Sequence, residues 1–232
     1  VTPDAVSPYY LEALLTYEDR WFRQHPGINP LALGRAAWQN LSGGRVLSGG
    51  STLSMQVARL LDPHSRTLPG KLRQLWRTGQ LEWHLSKDQI LNLYLNRAPF
   101  GGTLQGVAAA SWAYLGKPPS QLTHAEAALF AVLPQAPSRL RPDRHPHAAQ
   151  AARDKVLRRL GEFQVWPQAL VDEALEGEIH VTVIATGFDS GSTYRPEPKP
   201  RSFIPDAPPP IDPDFRSLRR GRSRPFLPSH PT

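Results

Sequence analysis

A mainly α-helical body is predicted by three features of the sequence. From Ser7 to about Gly177, apolar residues recur at i, i+3, i+4 and i+7 spacing. Each such run is bracketed by helix start and stop signals, including two capping boxes. At 232 residues and 40% hydrophobic content, the chain is also large and apolar enough to bury the core of such a body.

Ser7-Pro8 opens the first helix, which carries Tyr10, Leu11, Leu14 and Leu15 and is expected to run to His25-Pro26-Gly27. Asn29-Pro30 starts a second helix, stopped by Ser42-Gly43-Gly44. Ser51 caps a third, with Leu53, Val57, Leu60 and Leu61 on one stripe before Asp62-Pro63 ends it. A fourth spans about Gly70 to His84, with Leu72, Leu75, Trp76, Gly79 and Trp83 aligned. Ser86-Lys87-Asp88-Gln89 and Thr123-His124-Ala125-Glu126 fit the capping box, so helices follow Ser86 and Thr123. Between them "LQGVAAASWAYLG" reads as a buried, alanine-rich helix closed by Gly116. Pro146 to Leu160 is a basic amphipathic helix ended by Gly161, and Pro167 to Glu176 is another. Ile179, Val181 and Val183 alternate as a short strand or linker would, over 178–186. Residues 187–232 hold eleven of the 25 prolines and seven arginines with almost no apolar periodicity, which predicts a disordered tail.

The 27 Lys and Arg outnumber 20 Asp and Glu, and a net charge of +7 favours polyanions, phosphate groups or an anionic membrane surface. The absence of cysteine excludes disulfides and thiolate metal sites. No GxxxxGK[ST] or GxGxxG occurs, which argues against the usual nucleotide sites, and the eight histidines show no metal spacing. There is no run of about 18 apolar residues to cross a bilayer.

The stretch "EDRWFRQHPG", Glu18 to Gly27, holds the first candidate for chemistry. Glu18 and Asp19 are adjacent, so on a helix they point about 100° apart and cannot share a proton. Glu18 borders the Leu11, Leu14 and Leu15 stripe, where partial desolvation would raise its pKa and suit it to act as a general base. The competing reading is two surface acids paired with Arg20 and Arg23. In "LSGGSTLSMQ", Leu47 to Gln56, glycines before Ser51-Thr52 leave N–H groups and hydroxyls to hold an anion; a simple serine cap reads the same way. Arg59, Arg66, Lys71, Arg73 and Arg77 follow as cations suited to a phosphate or diphosphate. The six tryptophans fit core or membrane-facing positions.

The order and spacing of "EDRWFRQHPG", "GGSTLSMQ", "KLRQ", "LNLYLNRAPFGG" and "LQGVAAASWAYLGK…LTHAEAALFAVLPQAPSRLRP" resemble the glycosyltransferase family 51 domain of class A penicillin-binding proteins. The resemblance assigns 1–177 to that domain. It implies a lysozyme-like helical head lobe above a smaller membrane-facing jaw lobe, on the periplasmic face of the bacterial inner membrane. It also implies polymerisation of lipid II into glycan strands with inversion and release of undecaprenyl diphosphate. Glu18 would deprotonate the acceptor hydroxyl. Asp19, Phe22, His25 and Gly27 would shape its surroundings, and Gly50, Ser51, Thr52 and Gln56 would line the donor site. Arg59, Arg66 and Lys71 would hold the diphosphate, with Mg or Mn there as a permitted addition and no cofactor required.

Two positions depart from the family pattern. Met55 stands where glutamine is usual. The family's Arg-Lys-x-x-Glu falls on Gly70, Lys71, Leu72, Arg73 and Gln74, so an amide replaces the second carboxylate, and Gln74 is expected to hydrogen-bond the diphosphate. Glu82 lies about 12 Å further along the helix axis and cannot substitute. A diphosphate is a weak base that leaves once its charge is neutralised, so activity is expected to be retained, though slower. None of Lys71, Lys87, Lys117, Lys155 and Lys199 has serine three positions earlier, so a transpeptidase domain is not expected, and the chain reads as a truncated product. The expected partners are lipid II, the growing strand, the membrane surface and other cell-wall synthesis proteins, but not nucleic acid. Rival readings are a weakly active or inactive module that binds lipid II or protein partners, and a lysozyme-like lytic glycosidase.

Overall fold

The computed structural model describes residues 1–28, 51–65, 67–177, 179 and 181, all within a unit that spans Val1–Thr186. The expected helix after Asn29, the disordered tail, Val183, Gly50 and Arg66 lie outside the described residues.

Helix α1, Pro8–Glu18, starts as the Ser-Pro signal predicts, and the Ser7 hydroxyl donates to the Leu122 carbonyl at 3.0 Å. Its Tyr10, Ala13 and Leu14 are buried. It stops at Glu18, eight residues short of the expected Pro26, because Asp19 leaves helical geometry (φ −159°, ψ 74°) to make contacts described below. Helix α2, Leu53–Leu61, is capped by Thr52, whose hydroxyl accepts from the Met55 N–H, and not by Ser51 as expected. Thr67 caps α3, Leu68–His84, and the Ser86 box starts α4, Lys87–Arg97. A small antiparallel hairpin of β1, Pro99–Gly101, and β2, Leu104–Gln105, follows, which the sequence reading does not expect. Helix α5, Val107–Leu115, is closed by Gly116 in the left-handed region (φ 66°). The Thr123 box starts α6, His124–Val132, which ends in a 3-10 turn, Leu133–Gln135. Helices α7, Pro146–Glu162, and α8, Gln168–Glu176, complete the described body. Ile179 and Val181 pack on the core, and the rest of the expected strand or linker over 178–186 lies outside the described residues.

The fold is mainly helical, as expected. Helix α1 packs on α6 and α7, while α6 also packs on α8. Helix α2 packs on α3 and α4. One apolar core joins these sets through Leu53, Val57, Ile90, Leu91, Tyr94, Phe100 and Phe130. The consequence for the site is that the end of α1, the start of α2 and the turn after α6 converge.

Helix α3 departs from an ordinary amphipathic helix. Leu68, Leu72, Trp76 and Trp83 are 60–86% exposed, and 100° per residue puts them within an arc of about 80°. Trp21 and Trp112 are also half exposed, whereas Trp166 is buried and donates its indole N–H to Glu12.

Candidate active site

Glu18 ends α1 beside Leu14 and Leu15, half-buried at the junction of three elements. Its Oε2 accepts from Nε2 of Gln56 on α2 at 2.7 Å. Its Oε1 accepts from Nε2 of Gln135, in the turn after α6, at 2.6 Å. Burial pushes the Glu18 carboxyl above the ordinary carboxylate range. The Gln135 and Gln56 amides pull it partly back, and the charge of Asp19 adds a small upward push. Two tyrosines, Tyr10 on α1 and Tyr94 on α4, are fully buried with hydroxyls that find no partner among the described residues. Burial first, and then the negative charge of Glu18, push both phenols up. The competing reading of Glu18 and Asp19 as surface acids paired with arginines does not hold. Arg23 pairs with Asp88 at 2.8 Å, and Arg20 lies over the rings of Trp21 and Phe163.

Asp19, next in sequence, turns inward. Its Oδ1 meets His25 Nε2 at 2.8 Å, and its Oδ2 accepts the Leu53 N–H, the first of α2, at 2.9 Å. A carboxylate at a helix N-terminus satisfies an otherwise free N–H and complements the helix dipole. Gly27 closes this loop at φ +80°, and its carbonyl accepts from the Thr52 hydroxyl. A Cβ there would lie 2.5 Å from Glu82 Cγ and 2.9 Å from Thr78 Cγ2, so only glycine fits. Phe22, Asp19 and His25 are all buried. They were expected to shape the surroundings of Glu18 and to contact substrate; packed inside, they hold α1 against α2.

The first turns of α2 connect this carboxylate to the cations. Ser51 accepts from Lys71 Nζ at 3.2 Å, and Lys71 also donates to Gln74 Oε1 at 3.1 Å. Gln74 Nε2 in turn donates to the Met55 carbonyl at 2.6 Å. Burial and the charge of neighbouring Arg59 push the Lys71 ammonium down. Arg59 Nε is buried with no partner among the described residues. Neither cation meets a carboxylate among those residues, so together they attract an anion.

Two expectations need correcting. Gln74 is 2% exposed with both ends of its amide engaged, so it holds Lys71 and does not reach a ligand. Arg73 and Arg77 both bond Asp62 on the outside of α3 and are not free for phosphate. Met55, the other departure from the family pattern, is fully buried. Glu82 is structural, as expected: it accepts from Ser54 and from Lys87. The position missed altogether is Gln135, an uncharged side chain in a turn that no spacing marks. Among the described residues no three His, Cys, Asp or Glu side chains lie close enough to share a metal ion.

A half-buried carboxylate held by two amides and a pair of cations that meet no carboxylate among the described residues are carried on one helical body. The model of the transglycosylase family matches residues 1–161, and the chain belongs to that family. Among relatives, penicillin-binding protein 1C of Escherichia coli is 68% identical over 179 residues, 77% of this chain and 23% of that one. Penicillin-binding protein 1A of Aquifex aeolicus is 39% identical over 70% of this chain and 22% of that one. The 1A protein of Escherichia coli is 37% identical over 80% of this chain and 22% of its own length. The chain thus spans under a quarter of the length of these relatives.

Proposed function

We propose that this domain polymerises lipid II, extending a glycan strand by inverting glycosyl transfer with loss of undecaprenyl diphosphate. The observation that carries the reading is the continuity of the site. Gln56 of α2 bonds the Glu18 carboxylate and Ser51, one residue before the α2 cap, bonds the Lys71 ammonium, so the start of α2 links the base on α1 to the cation on α3.

In this reading the acceptor's sugar 4-hydroxyl approaches Glu18, which takes its proton as the oxygen bonds the anomeric carbon of the growing strand. The two amides orient the carboxylate, and its raised pKa strengthens it as a base near neutral pH. The diphosphate departs on the opposite face, where Lys71 and Arg59 stabilise its charge, with Arg66 and Gly50 as further expected contacts. A diphosphate carried by these cations needs no second acid, which accounts for Gln74 standing where a carboxylate is usual. The exposed Leu68, Leu72, Trp76 and Trp83 face of α3 would rest in the lipid surface, on the periplasmic side of the inner membrane. Among the described residues no helix is long and apolar enough to cross a bilayer.

A second reading has one observation in its favour: a carboxyl with a raised pKa also suits the general acid of a lytic glycosidase. Incubation with lipid II, followed by sizing of the glycan, separates the readings. Long strands with equimolar undecaprenyl diphosphate support the transferase. Shortening of preformed strands supports the lytic enzyme, and binding without either product supports a silent module.

A further inference from the structure

Gln135 has no part in the transfer as set out above beyond its contact with Glu18, yet it is built into the site in an unusual way. Among the described residues the Glu18 carboxylate has two side-chain partners, and they come from different parts of the body. Gln56 belongs to the second turn of α2, whereas Gln135 ends the 3-10 turn that follows α6. That turn is firmly anchored at its start, since Leu133 is fully buried, while Gln135 itself is exposed. The amide of an exposed residue therefore reaches Oε1 from a turn whose first residue is buried in the core. Helix α1, which carries Glu18, packs directly on α6, which carries the turn.

We propose that Gln135 is a positioning residue for the catalytic base: it fixes the second carboxylate oxygen of Glu18, sets which lone pair faces the acceptor hydroxyl, and tunes the base's affinity for the proton. A carboxylate oxygen offers two lone-pair sites. An N–H on each oxygen leaves one site per oxygen open and removes rotation of the carboxylate as a variable. Hydrogen bonds to the ionised form favour it, so Gln135 opposes the burial that pushes Glu18 up. The other groups that act on Glu18 are few. On α1 these are Tyr10 and the adjacent Asp19, and on α4 Tyr94; Tyr17 of α1 is next to Glu18, with Arg159 of α7 acting on that tyrosine. Asp19, Tyr10 and Tyr94 keep their surroundings on substitution at 135, whereas Tyr17, whose phenol Gln135 also hydrogen-bonds, loses that contact in Gln135→Leu.

The test uses three variants with opposite expected signs. Gln135→Leu removes the donor, Gln135→Glu opposes a second carboxylate to the first, and Gln135→Lys keeps a donor and adds positive charge. The full chain is labelled with 13C at glutamate carboxyls, and the Glu18 resonance is assigned by its loss in Glu18→Gln. Its titration should move to higher pH in Gln135→Leu, further still in Gln135→Glu, and to lower pH in Gln135→Lys. The acid limb of the pH dependence of kcat on lipid II should move in the same order, with KM nearly constant. On the acid limb Gln135→Leu should lose roughly tenfold in kcat for each pH unit by which that limb moves up, and recover as pH rises. A merely structural role predicts no such order of signs. If Glu18 titrates at the same pH in all three variants, the inference is overturned. The kinetic arm rests on the transferase reading, but the titration does not. Shifted titrations in a protein that makes no strands would sink only the transferase reading, and unshifted ones in a protein that does would sink only this inference.

Discussion

Glu18 and Gln74 are the two residues on which the chemistry turns, and the structure treats them oppositely. The folded state binds a proton at Glu18 more tightly than the unfolded chain does, because burial outweighs the two amides. Its contribution to stability is therefore full below the unfolded-state pKa and is lost as pH rises through the raised folded one. At neutral pH the ionised carboxylate is a cost, so Glu18→Gln should unfold at a temperature no lower than wild type while losing activity, which calorimetry and turnover together would check. Gln74 is the reverse, a neutral group whose donor and acceptor are both used inside the protein. In Gln74→Glu the Met55 carbonyl would face a carboxylate, and Lys71 would be drawn into an ion pair. A buried acceptor left without its donor costs about 1–3 kcal/mol. That should lower Tm by several degrees and leave the rate no faster than wild type; a faster and equally stable variant would mean that Gln74 reaches the substrate after all. Glu18 was legible in the sequence because its distance from Leu11, Leu14 and Leu15 is a matter of helical spacing. Gln135 was not, since an amide in a turn carries neither charge nor period, and only the packing of α6 on α1 brings it to the carboxylate.

The start of α2 is the element that assembles the site. Four groups meet its first two turns: Asp19 at the Leu53 N–H, Gly27 at the Thr52 hydroxyl, Gln74 at the Met55 carbonyl, and Glu18 at Gln56. Thr52→Ala removes both the cap on Met55 and the bond to Gly27, which should cost about 1–2 kcal/mol in a denaturant titration and lower kcat more than it raises KM. Gly27→Ala should be worse, because a Cβ there collides with Glu82 and Thr78 and the backbone is left-handed. Poor soluble yield and a much lower Tm are the expected outcome; a variant as stable as wild type would contradict the packing. Helix starts were the most legible part of the fold, with Ser86 and Thr123 capping as their boxes predict, because a cap depends on residues only three apart. The end of α1 was misjudged for the opposite reason. Asp19 breaks the helix to serve His25 and Leu53, and a contact 34 residues away leaves no local signal.

At the scale of the whole molecule, the exposed face of α3 calls for a surface to cover it. Apolar side chains this exposed and this closely aligned are uncommon on a body that meets only water. Fully burying a large apolar side chain is worth roughly 1.5–3 kcal/mol, so Trp76→Ser with Trp83→Ser should weaken binding to anionic lipid vesicles by tenfold or more without changing the helical content. Unchanged binding would assign that face to another contact. The sequence marked this stripe as helical from its spacing, but spacing says nothing of which side of a helix its neighbours cover, so exposure emerged only from the packing of α2 and α4. The central claim is that Glu18 is the base of glycosyl transfer to a substrate held through its diphosphate by Arg59 and Lys71. The most direct test measures, on the same full-length chain, lipid II binding and strand growth for wild type and Glu18→Gln. Binding within a few-fold of wild type and strand growth reduced by about 10²–10⁴ is the result expected of a lost general base. Strand growth by Glu18→Gln at the wild-type rate would contradict the account.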